Sequence, residues 1–132
     1  MTYLLDTDIC IAIINRRSTK AIARLQSCKP GSVALSAISI AELRFGADKS
    51  QAVSKNHEAL TQFFLALEIK PFDELSAIAY GVIRADLEKK GTPIGTLDTL
   101  IAAQALAHEL ILVTNNQNEF SRVNKLRVET WI

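Results

Sequence analysis

The sequence predicts an α/β domain of three layers, with a mainly parallel central sheet flanked by helices. Short apolar runs alternate with longer stretches of helical period along the whole chain. The runs at Thr2–Leu5, Ser32–Ser36 and Leu110–Val113 are apolar almost throughout, as strands buried on both faces are. Each ends at, or runs into, a small polar or acidic residue suited to a helix cap. At 132 residues and 48% hydrophobic content, the chain can bury a sizeable core, and residues 1–132 read as a single domain.

Taken in order, Thr2-Tyr-Leu-Leu is the first strand and ends at Asp6-Thr7-Asp8. Asp8 or Thr7 is expected to cap the helix that follows. Ser18 or Thr19 opens a second helix to about Ser27, with Ala21, Ile22 and Leu25 inward and Arg16, Arg17, Lys20 and Arg24 on its basic side. That side is either a solvated face or a contact for a phosphate backbone. Lys29-Pro30-Gly31 turns the chain into the second strand. Ser36 or Ser39 caps the next helix, which carries Glu42; Ser39 and Glu42 have capping-box spacing, so Glu42 has a purely structural alternative.

Asp48 to Lys55 is polar and reads as a loop or frayed turn. Leu60, Phe63, Phe64 and Leu67 form an amphipathic stripe, fit for the core or for a subunit interface. Glu68 to Phe72 is a short strand stopped by Pro71. Leu75, Ile78, Ala79, Val82, Ile83 and Leu87 make a helix that ends at Lys89-Lys90-Gly91. Gly91, Pro93 and Gly95 break the chain before another helix, which Thr96 is expected to cap and in which Asp98 lies in the first turn. Leu110–Val113 is the clearest strand and runs into Thr114-Asn-Asn116. Asn116 and Glu119 again have capping-box spacing. Leu126 to Ile132 reads as a closing strand.

Composition narrows the function. A net charge of +1 does not advertise a polyanion partner, although bound cations would reverse the sign of an acidic site. No apolar run approaches the roughly 20 residues of a membrane span. Met1-Thr-Tyr-Leu-Leu-Asp6 lacks the basic start of a secretory leader, and a cytoplasmic location is expected. Cys10 and Cys28 fit no metal or redox spacing, and His57 and His108 have no partner at ligand spacing.

The acids carry the chemistry. In a parallel α/β sheet the working crevice lies at the carboxyl ends of the strands. Asp6 and the Thr114–Glu119 segment follow strands, and Glu42 and Asp98 lie in helices that start near the same edge. Four carboxylates cannot share a crevice without a counter-charge, and no lysine or arginine sits beside these motifs to neutralise them all. Oxygen donors of this kind select Mg²⁺ or Mn²⁺ over zinc. Two such ions about 4 Å apart suit phosphodiester hydrolysis. No Walker loop, dinucleotide fingerprint or serine–histidine pair competes with that reading.

Five segments also carry a resemblance. Leu4-Leu-Asp6-Thr-Asp8, Ser39-Ile-Ala-Glu42-Leu-Arg-Phe-Gly-Ala47, Pro93-Ile-Gly-Thr-Leu-Asp98-Thr-Leu-Ile-Ala-Ala103, Leu112-Val-Thr-Asn-Asn116-Gln-Asn-Glu119-Phe-Ser-Arg-Val123 and Val128-Glu-Thr-Trp131 together resemble the PIN-domain ribonucleases. Within them the chain is similar to the VapC toxins of type II toxin–antitoxin pairs, in order and over its full length. The resemblance implies a PIN-like three-layer fold and a Mg²⁺- or Mn²⁺-dependent endoribonuclease. It carries over Asp6, Glu42 and Asp98 as the acidic core, with Asp6 and Asp98 as metal ligands. Glu119 and Asn116 complete the site, and Thr7 and Thr114 are supporting hydroxyls. Asp8, where many relatives have Asn, and Gln104, where close relatives often have His, are departures. Implied partners are a cognate antitoxin that blocks the site, a second toxin copy, and operator DNA under a larger assembly. The implied substrate is structured RNA, tRNA or rRNA, including the anticodon region of initiator tRNA, with inhibition of translation as the outcome.

The alternative is a haloacid-dehalogenase-like phosphatase, which also opens on an apolar run and Asp-x-Asp. There Asp6 would be the nucleophile. Such an enzyme further needs a lysine and a late acidic pair, which Thr114-Asn-Asn116 does not provide.

Overall fold

A computed structural model describes residues 2–132. The chain runs β1 (Tyr3–Leu5), α1 (Thr7–Ile14), α2 (Thr19–Ser27), β2 (Val33–Ser36), α3 (Ala37–Asp48), α4 (Val53–Phe64), β3 (Glu68–Lys70), α5 (Glu74–Lys89), α6 (Thr96–Ala107), β4 (Ile111–Val113), α7 (Gln117–Phe120) and β5 (Val128–Glu129). The five strands form one sheet in the order β3-β2-β1-β4-β5. All of its pairings are parallel, with Leu5 beside Leu35 on one side and Val113 on the other.

Strand alternation builds the layers. Leu5, Val33, Leu35 and Val113 face one core, shared with Ile9, Cys10 and Ile13 of α1, Ala21 of α2, Leu43 of α3 and Leu60 of α4. Leu4, Ala34 and Leu112 face the other, shared with Ile83 and Leu87 of α5, Ile101 and Ala105 of α6, and Phe120. This is the three-layer architecture expected from the apolar runs. Leu60 and Leu67 are buried in the first core, with Phe63 and Phe64 packed partly buried against it, so the stripe is core. Cys10 is also core, and both cysteines are free.

Local signals set most helix ends. Ser18 accepts from the Ala21 N–H at 3.1 Å and starts α2. Asp73 accepts from the Ser76 N–H at 3.0 Å and starts α5. Gly91, at φ +70°, ends α5 in the left-handed region, where a side chain would be strained. His108 caps α6 at its carboxyl end and pairs with Asp73 at 2.8 Å. His57 bridges Asp48 and Arg44, joining α3 to α4.

Several boundaries differ from expectation. The closing strand is only Val128–Glu129, because the chain beyond it turns in to bury Trp131. The third strand stops at Lys70, before the proline rather than after it. The basic side of α2 is broken up. Arg16, Arg17 and Lys20 are exposed, but Arg24 folds back over the rings of Tyr3 and Trp131 and bonds Glu129 at 3.1 Å. Among the described residues no helix is long and apolar enough to cross a membrane.

Candidate functional site

Because all strands are parallel, Asp6, Ser36 and Thr114 emerge at the same edge of the sheet, and α1 and α3 start there without intervening loops. Asp6 is itself the N-cap of α1: its Oδ1 accepts from the Thr7 N–H at 2.8 Å. This replaces the expected cap at Thr7 or Asp8. Its Oδ2 accepts from the Thr114 hydroxyl, also at 2.8 Å. Both Asp6 oxygens are thus held by neighbours that follow from the strand register, and the side chain is only 5% exposed.

Glu42 does not close a capping box. Ser36 caps α3, so Ser39 is already inside the helix and Glu42 lies beyond its first turn. Glu42 instead receives the Thr7 hydroxyl on Oε1 at 2.9 Å, and Thr7 Oγ1 lies 3.1 Å from Ser39 Oγ. The cap of α6 is Gly95 rather than Thr96, which places Asp98 at the third helical residue, still in the first turn. Glu119 reaches that turn from α7: its Oε1 accepts from the Gly95 N–H at 3.1 Å, and its Oε2 accepts from the Asn116 side-chain amide. Asn116 and Glu119 therefore meet side chain to side chain and do not close a capping box, since Asn116 makes no side-chain cap bond and its N–H goes to Thr114; the other oxygen of Glu119 grips the loop before Asp98.

Seven sequence-predicted residues thus fall into two linked groups. Asp6, Thr7, Glu42 and Thr114 are joined by direct hydrogen bonds. Asn116 and Glu119 form the second group with the start of α6, which carries Asp98. Electrostatics couples them. Burial, then the neighbouring Asp8 charge, pushes the Asp6 carboxyl from 3.8 up to about 7; Asp98 adds to the rise, and the bonds from Thr114 and Thr7 oppose it. Burial, then the charges of Glu119 and Glu42, raises Asp98 to about 6. Burial also raises Asp8, against a bond from the Asn115 N–H.

Sequence reasoning treated Asp8 only as a possible cap or an added charge. Its Oδ2 accepts from the Asn115 N–H at 3.1 Å, and its Oδ1 is buried with no hydrogen-bond partner. The signal available was a second acid two residues after Asp6, in the first turn of the same helix. The backbone N–H of Gly95, which holds Glu119, had no side-chain signature.

The donors here are carboxylates, hydroxyls and an amide, with no thiol or imidazole. That set suits a hard divalent cation. The raised carboxyls of Asp6 and Asp98 mark missing positive charge, since among the described residues no lysine or arginine bonds to either of them. Asp6 and Asp98, the pair most raised by their surroundings, have most to gain from a cation. No group of three acidic, histidine or cysteine side chains among the described residues is already gathered to hold an ion, in keeping with Glu42 and Glu119 both being engaged by protein donors. The phosphatase alternative finds no support. Among the described residues no lysine pairs with Asp6, and both of its carboxylate oxygens already accept hydrogen bonds.

Known proteins resemble the chain over its length. The family model described as PIN domain matches residues 3–126. Ribonuclease VapC2 of Rickettsia felis is 40% identical over 132 residues, covering 99% of this chain and 98% of its own. The tRNA(fMet)-specific endonuclease VapC of Shigella flexneri is 36% identical, covering 99% and 98%. Among solved structures, DNA-bound VapBC from Salmonella typhimurium superposes with a TM-score of 0.95 at 36% identity, covering 100% of this chain and 99% of that one. VapBC2 from Rickettsia felis, bound to a DNA fragment from its promoter, gives 0.91 at 37% identity and full coverage of both. With the family pattern spanning residues 3–126, and with a relative 40% identical over nearly its whole length, this chain belongs to the PIN domain family.

Proposed function

We propose that this chain is the toxin of a toxin–antitoxin pair: a Mg²⁺- or Mn²⁺-dependent endoribonuclease that cuts structured RNA and so inhibits translation. The observation that carries the reading is the convergence of Asp6, Glu42, Asp98 and Glu119 at one sheet edge without a cationic side chain among the described residues, with Asp6 pushed up to about 7 and Asp98 to about 6. A site built this way has a use for a dication and for the phosphate it would bring. The names of the relatives, ribonuclease VapC2 and tRNA(fMet)-specific endonuclease VapC, support the same chemistry. They also make tRNA, and the anticodon region of initiator tRNA within it, the first substrate to test, ahead of rRNA. The place of action is the cytoplasm, where that RNA is found.

In this reading the residues have separate duties. Asp6 and Asp98 hold the cation. Glu42 and Glu119 complete the acidic ring, held as they stand by the Thr7 hydroxyl and the Gly95 N–H. A divalent cation held by Asp6 and Asp98 would supply charge neutralisation at a phosphate and a more acidic water. The chain's own contribution is orientation: Thr114 holds Asp6 in one rotamer, Thr7 aims Glu42, and Asn116 steadies Glu119.

The chain acts as a single PIN domain over residues 1–132. Its partners are a cognate antitoxin that covers the acidic crevice, a second copy of the toxin, and operator DNA contacted by the larger assembly. Solved complexes of VapBC with DNA support that assembly.

Cleavage of purified bulk tRNA by antitoxin-free protein tests the proposal, with Mg²⁺, Mn²⁺ and EDTA lanes beside an Asp98→Asn control. Discrete fragments that require metal and disappear in the variant are the expected result. Intact tRNA and intact rRNA in every lane would overturn it.

A further inference from the structure

β1 and β4 lie side by side, with Leu5 opposite Val113, and the Asp6 N–H continues the ladder to the Val113 carbonyl at 2.8 Å. One residue later the two chains part. One enters α1, and the other turns through Thr114, Asn115 and Asn116 into α7. What bridges the gap is side-chain bonding. The Thr114 hydroxyl donates to Asp6 Oδ2 at 2.8 Å and accepts from the Asn116 N–H at 3.0 Å. The Asn115 N–H, between them, goes to Asp8 Oδ2 at 3.1 Å, and Thr114 Oγ1 lies 3.5 Å from the same oxygen. Two successive backbone N–H groups of the turn are therefore held by side chains of the acidic crevice.

We propose that Asp8 is a positioning residue, which pins the Thr114–Asn116 turn to the start of α1 and so fixes the Thr114 hydroxyl on Asp6 and the approach of Glu119. The required property is an acceptor at Oδ2, not a second negative charge. Asp6 already caps α1, so Asp8 is not needed as the helix cap. Its Oδ1 is buried without a donor, which is a cost of folding rather than a gain. An asparagine oxygen can accept the same bond from the Asn115 N–H. Loss of the acceptor frees the turn that orients Asp6, and small misplacements of reacting groups cost up to about 100-fold in rate.

The test compares Asp8→Asn with Asp8→Ala in the full chain. It reads amide exchange at Asn115 and Asn116, and kcat and KM for RNA cleavage with Mn²⁺. The catalytic arm rests on the ribonuclease reading; the exchange arm does not. Expected for Asp8→Ala are faster exchange at Asn115 and a fall of roughly 10- to 100-fold in kcat with KM nearly unchanged. Asp8→Asn should keep the protection at Asn115 and a kcat within about threefold of the parent. A general loss of folding would not spare the asparagine variant in this way. If the alanine variant does not fold, Asp8→Leu, of similar branched shape without an acceptor, takes its place. The proposal is overturned if Asp8→Asn falls as far as Asp8→Ala, which would assign the role to charge, or if Asn115 stays protected in the absence of any acceptor. Parent protein that cuts no RNA would sink the ribonuclease reading alone, and the exchange data would still decide the role of Asp8.

Discussion

The Thr7 hydroxyl donates to Glu42 Oε1 at 2.9 Å, joining residues 35 positions apart, one at the start of α1 and the other midway along α3. This bond keeps Glu42 turned toward the acidic crevice rather than toward its own helix. Removing the hydroxyl releases it. Thr7→Val is expected to lower RNA cleavage by about 10-fold and stability by about 1 kcal/mol, while Thr7→Ser keeps both. Steady-state kinetics and thermal unfolding of the two variants check this; equal activity in the valine variant would show that the aim of Glu42 does not matter.

Glu119 is engaged at both oxygens, by the Gly95 N–H and by the Asn116 amide, so it links α7 to the loop that starts α6. Its influence on Asp98 is therefore mechanical as well as electrostatic. Glu119→Ala is expected to reduce cleavage at least 10-fold and to speed amide exchange at Gly95. Asn116→Ala, which removes only one of the two contacts, should show a smaller effect on both. Reversal of that order would place the anchor on Asn116 instead.

The layer architecture was legible because the strand runs are apolar on both faces, and Leu4 and Leu5 do pack into opposite cores. Helix caps were less legible, for a physical reason. Asp6, Thr7 and Asp8 are all competent caps, as are Ser36 and Ser39. For α1 and α3 the strand register decides which of them begins the helix: β1 delivers Asp6 and β2 delivers Ser36 directly to the turn. A shift of three residues then takes Glu42 out of a capping box and gives it to Thr7. The backbone donor on Gly95 was invisible for a simpler reason, since no side chain advertises it.

Gln104 sits fully buried in α6 and donates through Nε2 to the carbonyls of Lys70 and Pro71, at 3.1 and 2.9 Å. It ties the end of β3, an edge strand of the sheet, to the helix that bears Asp98. Replacing it with leucine removes two hydrogen bonds in a buried setting, and Gln104 Oε1 has no partner whose loss would add to the cost. The expected destabilisation is about 1–3 kcal/mol in urea unfolding, with metal binding unchanged. A neutral result would mean that Lys70 and Pro71 find other donors.

The raised carboxyl of Asp6 makes the site a source of instability when no cation is bound. Its pKa is 3.8 ordinarily and about 7 in the folded chain. Between those values the folded state keeps a proton that the unfolded state releases, so stability falls as pH rises through this window and levels off above it. A rise of that size is worth on the order of 2–4 kcal/mol, shared with the coupled charges of Asp8 and Asp98. Thermal unfolding in EDTA from pH 5 to 8 should therefore show the parent losing stability relative to Asp6→Asn, since the difference between the two proteins removes the groups they share. Mn²⁺ should raise the melting temperature of the parent at pH 7.5 by far more than that of the variant, because only the parent presents the full charge. Parallel pH profiles for the two proteins in EDTA would show that Asp6 ionises freely in the folded chain, and the charge argument for a cation at this residue would fail with it.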